Sequence, residues 1–193
     1  MKRFFVAALA LLISVGAFAE GFGLIGGVPT SQMKFKDIDL KSYTGAHAGI
    51  AYNVPLGAGF AIQPELIYNV KGTNWEELKT KAKYGYVEVP VQIQWGLDLV
   101  MLRPYVFAEP FAGYAVTGST VINSEKAKID LSNMKSRVEY GLGIGAGVDV
   151  YNRIQLSFKY YWNFEQADQW GVVADMVKAK SFAGLVFTAG IFF

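Results

Sequence analysis

The sequence predicts an all-β fold, an eight-stranded antiparallel up-and-down transmembrane β-barrel. Three observations support it: an N-terminal segment typical of a secretory signal, eight stretches in which apolar residues recur at every second position, and connections that alternate between long and short. Although 52% of the residues are hydrophobic, nothing after the signal approaches the ~18 consecutive apolar residues of a membrane helix. A secreted chain of this composition fits a β-barrel in a bacterial outer membrane.

The first element is the signal. Lys2 and Arg3 precede an apolar run over residues 4–15, and Ala17 and Ala19 form a small-x-small cleavage site. A single membrane helix is the alternative, but the run is shorter than the ~20 apolar residues that a span needs. We therefore expect a signal peptide over residues 1–19 and one barrel domain over residues 20–193.

The first four predicted strands differ in how regularly apolar residues alternate along them. The first, residues 21–29, is short and rich in glycine. The second, residues 43–54, and the third, residues 60–71, both alternate apolar with small or polar residues. The fourth, residues 84–97, is the most regular, because valine, isoleucine, tryptophan and leucine occupy every second position from Val87 to Leu97.

The last four predicted strands cover residues 103–118, 138–151, 153–164 and 181–193. In the sixth strand, four glycines at every second position share one face, and we expect them to make room for large side chains across the lumen, such as Tyr86, Phe107, Phe111 or Tyr161. The eighth strand ends the chain on an aromatic residue. Phe187, Ile191 and Phe193 on its apolar face predict a recognition signal for the barrel-assembly machinery.

The connections predict the orientation. Short turns follow the second, fourth and sixth strands, and an even number of strands with short periplasmic turns places both termini in the periplasm. The long loops would face the exterior and hold 12 of the 16 Lys and Arg residues that follow the signal. Mixed-charge loops ordinarily serve solubility, but a surface ligand could also bind there. These loops cover residues 30–42, 72–83, 119–137 and 165–180.

Charge and composition exclude several functions. Without Lys2 and Arg3, the 18 basic residues become 16 and equal the 16 acidic residues, so nucleic-acid binding loses its electrostatic support. The absence of cysteine excludes disulfides, thiolate metal sites and a cysteine nucleophile. A single histidine, His47, cannot form a multi-histidine metal site. We expect no cofactor, no metal and a monomer whose surroundings are outer-membrane lipid.

Three prolines, Pro64, Pro90 and Pro110, lie inside predicted strands. Proline cannot donate to the hydrogen-bonded ladder. A closed barrel has no edge on which to place such residues, so we expect bulges or irregular pairing at all three.

The inward phase of the strands predicts a polar cluster in the lumen. Side chains fill a barrel of eight strands, which makes a plug of hydrogen bonds and ion pairs the simplest interpretation. The excess of acids over bases leaves a narrow ion path as an alternative. The predicted interior cluster is Glu65, Glu88, Glu109, Lys159, Arg153 and His47.

Catalysis finds little support in these residues. A histidine base would need a serine or carboxylate on the same face, and the sequence offers no convincing partner for His47. The glycine repeat lacks the following helix and lysine of a nucleotide loop. We therefore predict no catalytic residue.

Short motifs in the strands resemble a known family. They include Gln63-Pro64-Glu65-Leu66, Glu88-Val89-Pro90 and the terminal TAGIFF. The chain resembles small outer-membrane β-barrel proteins of the porin-family or PorT-like type over nearly its whole length. This resemblance implies an eight-stranded barrel and transfers no catalytic residue.

The sequence thus predicts an integral outer-membrane protein that is not an enzyme, with a structural or surface-interaction role and a largely plugged lumen. A narrow channel for ions or small solutes is the first alternative. A lipid-modifying enzyme and a soluble lipocalin-like barrel are weaker ones. The lipocalin-like barrel is disfavoured because the polar face of its strands would have to form the core.

Overall fold

A computed structural model describes residues 21–33, 43–75, 80–122, 125–128, 137–164 and 182–193. The predicted signal peptide lies outside this part of the chain. All of its regular elements are β-strands. They are β1 (Phe22–Met33), β2 (Tyr43–Thr44), β3 (His47–Tyr52), β4 (Val54–Gly57), β5 (Phe60–Trp75), β6 (Thr80–Gly96), β7 (Leu102–Ile122), β8 (Glu125–Lys128), β9 (Val138–Val150), β10 (Ile154–Asn163) and β11 (Phe182–Phe192).

The described strands form a closed, antiparallel eight-stranded barrel. The short elements β2, β3 and β4 together make the second barrel strand, and β8 extends the sheet beside β7. Closure comes from β1 and β11, which pair from Gly23 with Phe192 to Met33 with Phe182. The weak first strand is therefore longer than predicted. We call the end with the short turns and residues 21 and 193 the turn end, and the opposite end the loop end.

Alternation along the strands separates two faces as predicted. On β11, for example, Phe187 and Ile191 are 50% and 58% exposed on the outside, whereas Val186 and Phe192 are 3% and 6% exposed on the inside. The outer face is an apolar belt, as expected of a wall in contact with lipid. Within the described residues, no helix is long and apolar enough to cross a membrane.

The three strand prolines interrupt three successive ladders without changing their register. Pairing between the second barrel strand and β5 is absent at Pro64. Pairing between β5 and β6 is absent at Pro90, and pairing between β6 and β7 at Pro110. The expected irregular pairing is confirmed, and the missing N–H of proline is its cause. No bulge accompanies it at these sites.

Three predicted loops begin later than the sequence indicated. β5 continues to Trp75, β6 starts at Thr80 and β7 runs to Ile122, beside which β8 adds four more residues. These segments are polar and lack apolar alternation. They still pair because the backbone hydrogen bonds of a ladder do not depend on apolar alternation of the side chains. The remaining loop residues lie outside the described ranges.

Candidate functional site

The barrel interior is a continuous set of buried polar side chains and aromatic rings. Each polar group is brought there by a strand whose alternate residues face the lipid. Removed from bulk water, such groups must find partners among themselves. The buried polar residues include Gln63, Glu65, Asn69, Lys71, Glu88, Gln92, Gln94, Glu109, Glu139, Gln155 and Asn163.

Toward the loop end, one lysine holds two carboxylates. Lys71 Nζ donates to Glu139 Oε1 at 2.9 Å and lies 3.0 Å from Glu88 Oε1. Asn69 Nδ2 donates to Glu88 Oε1 at 3.0 Å, and Asn163 Nδ2 donates to Glu139 Oε2 at 2.7 Å. Lys71 is only 2% exposed, so this ion-pair network is shielded from solvent. In such a site, close ion pairs and hydrogen bonds must offset the free-energy cost of removing the charged groups from water.

Three aromatic rings surround the same ammonium group. Its distances to the ring centroids are 5.4 Å for Tyr86, 4.9 Å for Phe111 and 5.0 Å for Tyr161. Phe111 and Tyr161 also pack edge to face, with centroids 6.2 Å apart. The electron-rich faces of aromatic rings attract a cation at such distances. We call these rings, Lys71, Glu88 and Glu139 the Lys71 cluster.

The middle of the lumen contains a second lysine and a carboxyl group with no cation. Lys159 Nζ forms an ion pair with Glu109 Oε1. Glu65 Oε1 instead accepts hydrogen bonds from the side-chain amides of Gln63 and Gln92, at 2.9 and 2.8 Å. Among the described residues no basic group lies within ion-pair distance of Glu65. Both groups thus contain one lysine and two carboxyl groups, but Lys71 contacts both of its carboxylates whereas Lys159 forms an ion pair with Glu109 alone.

His47 has one partner in the lumen. Its Nε2 lies 3.2 Å from Thr188 Oγ1, while Nδ1 has no hydrogen-bond partner in the described part of the chain. A catalytic histidine is normally oriented by a carboxylate on the second ring nitrogen. His47 has no such orienting group among these residues, so the geometry is that of an interior histidine tied to a neighbouring strand.

At the turn end, Arg103 joins a network made mostly of amides. Its guanidinium donates to Asp149 Oδ2 and Gln94 Oε1, both at 3.0 Å, and to the carbonyl oxygen of Gly59 at 3.0 Å. It also pairs with Asp98 at 3.2 Å. A planar fork of donors suits several acceptors at once.

Side-chain amides carry this network across the lumen. Gln63 and Gln155 exchange hydrogen bonds at 2.9 and 3.1 Å, and Gln155 donates to Asp149 Oδ1 at 2.9 Å. Asn53 donates to Gln63 and Gln94 at 3.0 and 3.3 Å. We call Arg103, its partners and these amides the Arg103 network. It forms the floor of an open cavity of about 1240 Å³ at the turn end, the vestibule.

Five of the six predicted cluster residues face the lumen. They are Glu65, Glu88, Glu109, Lys159 and His47. The placement of Arg153 is wrong. It lies exposed in the turn before β10, where Tyr151 and Asn152 have positive φ angles, so the alternation of the strand has not yet begun. Arg103 is the interior arginine at this end.

Lys71, Glu139 and Arg103 also belong to the polar interior and are absent from the predicted cluster. All three are in the inward phase of their strands, which is the signal that could have identified them. In the described part of the chain, no three His, Asp or Glu side chains are grouped as a metal site.

The glycine repeat of β9 accommodates rings of the neighbouring strand β7 and not of the far wall. A Cβ atom at Gly141 would lie 2.5 Å from Phe111, one at Gly145 would lie 2.6 Å from Phe107, and one at Gly147 would lie 2.5 Å from Tyr105. Phe107 and Phe111 are thus among the rings that the glycines accommodate, but the expectation that these rings would reach the repeat from across the lumen is wrong.

The closed barrel with an apolar outer belt and a polar interior defines an integral membrane protein of the outer-membrane β-barrel class. A family model described as "Outer membrane protein beta-barrel domain" matches residues 20–169. The chain belongs to this family of the bacterial outer membrane. No curated protein matches it in sequence.

Two solved structures show the same fold at low sequence identity. Neisserial surface protein A (NspA) is 14% identical with a TM-score of 0.52, and the match covers 90% of this chain and 97% of that one. The outer membrane enzyme PagL is 9% identical with a TM-score of 0.52, covering 89% and 99%. A surface protein and an enzyme therefore share this architecture, and the fold alone does not separate the two functions.

Proposed function

We propose that this protein is a plugged, non-enzymatic barrel with a structural or surface-interaction role, which displays its loop end to the exterior and keeps both termini in the periplasm. The Lys71 cluster carries this proposal. A cation held by two carboxylates and three rings occupies the lumen toward the loop end, and the amide-rich Arg103 network crosses it at the turn end.

Conductance tests the plug. In planar lipid bilayers the wild-type protein should be silent, because an ion would have to displace Lys71 from both carboxylates. The triple variant Lys71→Ala, Glu88→Ala, Glu139→Ala removes the charged groups of the cluster together and should stay silent while the Arg103 network is intact. Adding Gln63→Ala, Gln94→Ala and Gln155→Ala, which remove the amides that cross the lumen at the turn end, should produce conductance. Heat-modifiable gel migration establishes that each variant is folded.

A narrow channel is the second candidate, favoured by the carboxylate of Glu65, which has no cation partner in the described residues. Steady wild-type conductance that is lost in Glu65→Gln or Glu109→Gln would replace the plug by this channel. A silent wild-type protein that conducts only after both the Lys71 cluster and the amides of the Arg103 network are removed supports the plug.

The environment of His47 supports the non-enzymatic part of the proposal. The Thr188 hydroxyl is its neighbour, and no carboxylate in the described ranges is hydrogen-bonded to the ring. Folded protein incubated with phospholipid and lipopolysaccharide should yield no cleavage product by mass spectrometry. Product that disappears in His47→Ala would instead establish a hydrolase.

Single cysteines test the orientation, since the chain has none of its own. In intact cells, a membrane-impermeant maleimide should label Lys126→Cys at the loop end. Arg153→Cys at the turn end should be labelled only after the outer membrane is permeabilised. The reverse pattern would invert the proposed orientation.

A further inference from the structure

The hairpin between β6 and β7 ends in an apolar tip. Residues 97–102 read LDLVML, with five apolar residues and one acid. Leu97, Leu99 and Met101 are 55%, 59% and 56% exposed, and Val100 is fully exposed. Turns that face water are built mainly from glycine, proline, asparagine, aspartate and serine, so this composition indicates that the tip does not face water.

Backbone hydrogen bonds hold the tip in place. Leu99 N–H donates to the carbonyl of Leu102 at 2.9 Å, and Leu97 N–H donates to that of Pro104 at 3.0 Å. Tyr151 of the neighbouring turn donates its N–H to the carbonyl of Met101 at 2.9 Å, and its hydroxyl donates to the Met101 sulfur at 3.5 Å. The apolar side chains are therefore fixed in an outward position and do not collapse onto the barrel.

The tip continues the lipid-facing belt. On the outer face, Trp95 of β6 and Val106 of β7 are 47% and 54% exposed directly above it. Its one acid, Asp98, pairs with Arg103, which belongs to the lumen floor. The adjacent turn contains Asn152 and Arg153 instead of apolar residues. The turn between β4 and β5 is also apolar, with Leu56 59% exposed, but its next three residues are Gly57, Ala58 and Gly59. The β6–β7 hairpin thus carries the belt through its turn with four consecutive large apolar residues, 99–102.

We propose that the apolar tip, residues 97–102, lies in the lipid interface of the leaflet at the turn end and anchors the barrel there. Its surface is continuous with the lipid-facing belt, and Trp95 and Tyr151 flank it with the residue types that concentrate at membrane interfaces. The occupant of this surface is phospholipid. A protein partner would have to compete with lipid for an apolar edge that the membrane already reaches.

A fluorescent reporter on single cysteines tests the site. Val100→Cys carries the environment-sensitive dye NBD in vesicles of phosphatidylethanolamine and phosphatidylglycerol, and Arg153→Cys in the neighbouring polar turn is the matched control. Iodide should quench the dye at position 100 about fivefold less than at position 153, as expected for a group within the interface. Spin-labelled lipid should quench position 100 more strongly. Equal iodide quenching at both positions would overturn the proposal.

A polar tip supplies the second measurement. Leu99→Asn with Val100→Asn leaves the backbone hydrogen bonds of the turn in place, and folding is checked by gel migration. A dye at Met101→Cys should be protected from iodide with the native tip and become accessible with the polar one. If iodide quenches the dye equally with both tips, the tip projects into water. That result would contradict lipid anchoring and favour a protein as the partner of the tip.

Discussion

The Lys71 cluster and the Arg103 network lie toward opposite ends of the same lumen and hold their charged groups in different ways. In the first, one ammonium group compensates two carboxylates inside a shell of rings, and Lys71 is 2% exposed. In the second, a guanidinium shares its donors among two acids, an amide and a carbonyl. The amides of Asn53, Gln63 and Gln155 extend these contacts to further strands. The second also borders the vestibule.

This difference should decide how each region responds to substitution. A buried carboxylate that loses its cation has no water to replace that contact. A single substitution in the Lys71 cluster should therefore cost much of the stability of the protein. In the Arg103 network, a lost donor exposes acceptors to a cavity large enough for water, which supplies replacement hydrogen bonds. We therefore expect the polar groups of the lumen to be sensitive to substitution toward the loop end and tolerant of it at the turn end.

The largest expected effect is that of Lys71→Met. The variant leaves Glu88 and Glu139 buried beside each other without a cation, which should lower the free energy of unfolding by about 3–5 kcal/mol. Urea unfolding of the protein in lipid vesicles, followed by tryptophan fluorescence, measures the loss.

Two further variants define the cause. Lys83→Met removes a lysine that lies outside the Lys71 cluster, near the ring of Tyr43, and should change stability little. Adding Glu88→Gln and Glu139→Gln to Lys71→Met should restore much of the stability, because the unpaired charges disappear. If the two glutamines give no recovery, packing of the lysine stem and not charge would explain the defect.

An intermediate effect is expected at the glycines that support the rings. A Cβ at Gly141 would clash with Phe111, a ring of the Lys71 cluster, and with the carbonyl oxygen of Trp162. Gly141→Ala should therefore lower the free energy of unfolding by about 1–3 kcal/mol, the usual cost of overpacking. Urea unfolding in vesicles again provides the measurement.

Gly143→Ala is the matched control for that prediction. Its Cβ would lie 3.5 Å from Lys159 Cδ and 3.6 Å from Glu109 Cβ, which are ordinary contact distances. The two alanine variants share one strand and one face, so equal stability losses would contradict the proposed role of the Phe111 ring.

The alternation of apolar residues was sufficient to predict the barrel and the inward phase of Glu65, Glu88 and Lys159. Partners across the lumen could not be predicted in the same way. Lys71 and Glu139 are 68 positions apart in sequence, and their contact depends on the curvature of the closed sheet and on the heights of the two strands. Both also lie near predicted strand ends, where the pattern is weakest.

Arg153 shows the opposite error. An alternating pattern extended one residue too far places it inside, whereas the positive φ angles of Tyr151 and Asn152 reverse the chain just before β10 begins. A strand pattern carries no information about the exact residue at which a turn ends. The predicted strand ends at the loop end of the barrel were wrong for a related reason. There the backbone continues to pair without any apolar periodicity.

The smallest expected effect is that of Arg103→Lys. Lysine keeps the charge beside Asp98 and Asp149 but cannot match the planar fork that also reaches Gln94 and the Gly59 carbonyl. Because water from the vestibule can hydrogen-bond the released acceptors, unfolding in urea should become easier by only about 1 kcal/mol. Arg153→Lys, in the exposed turn, should show no measurable change. A loss in Arg103→Lys as large as that in Lys71→Met would mean that the turn end is as dry as the Lys71 cluster, and that the tolerance attributed to the vestibule does not exist.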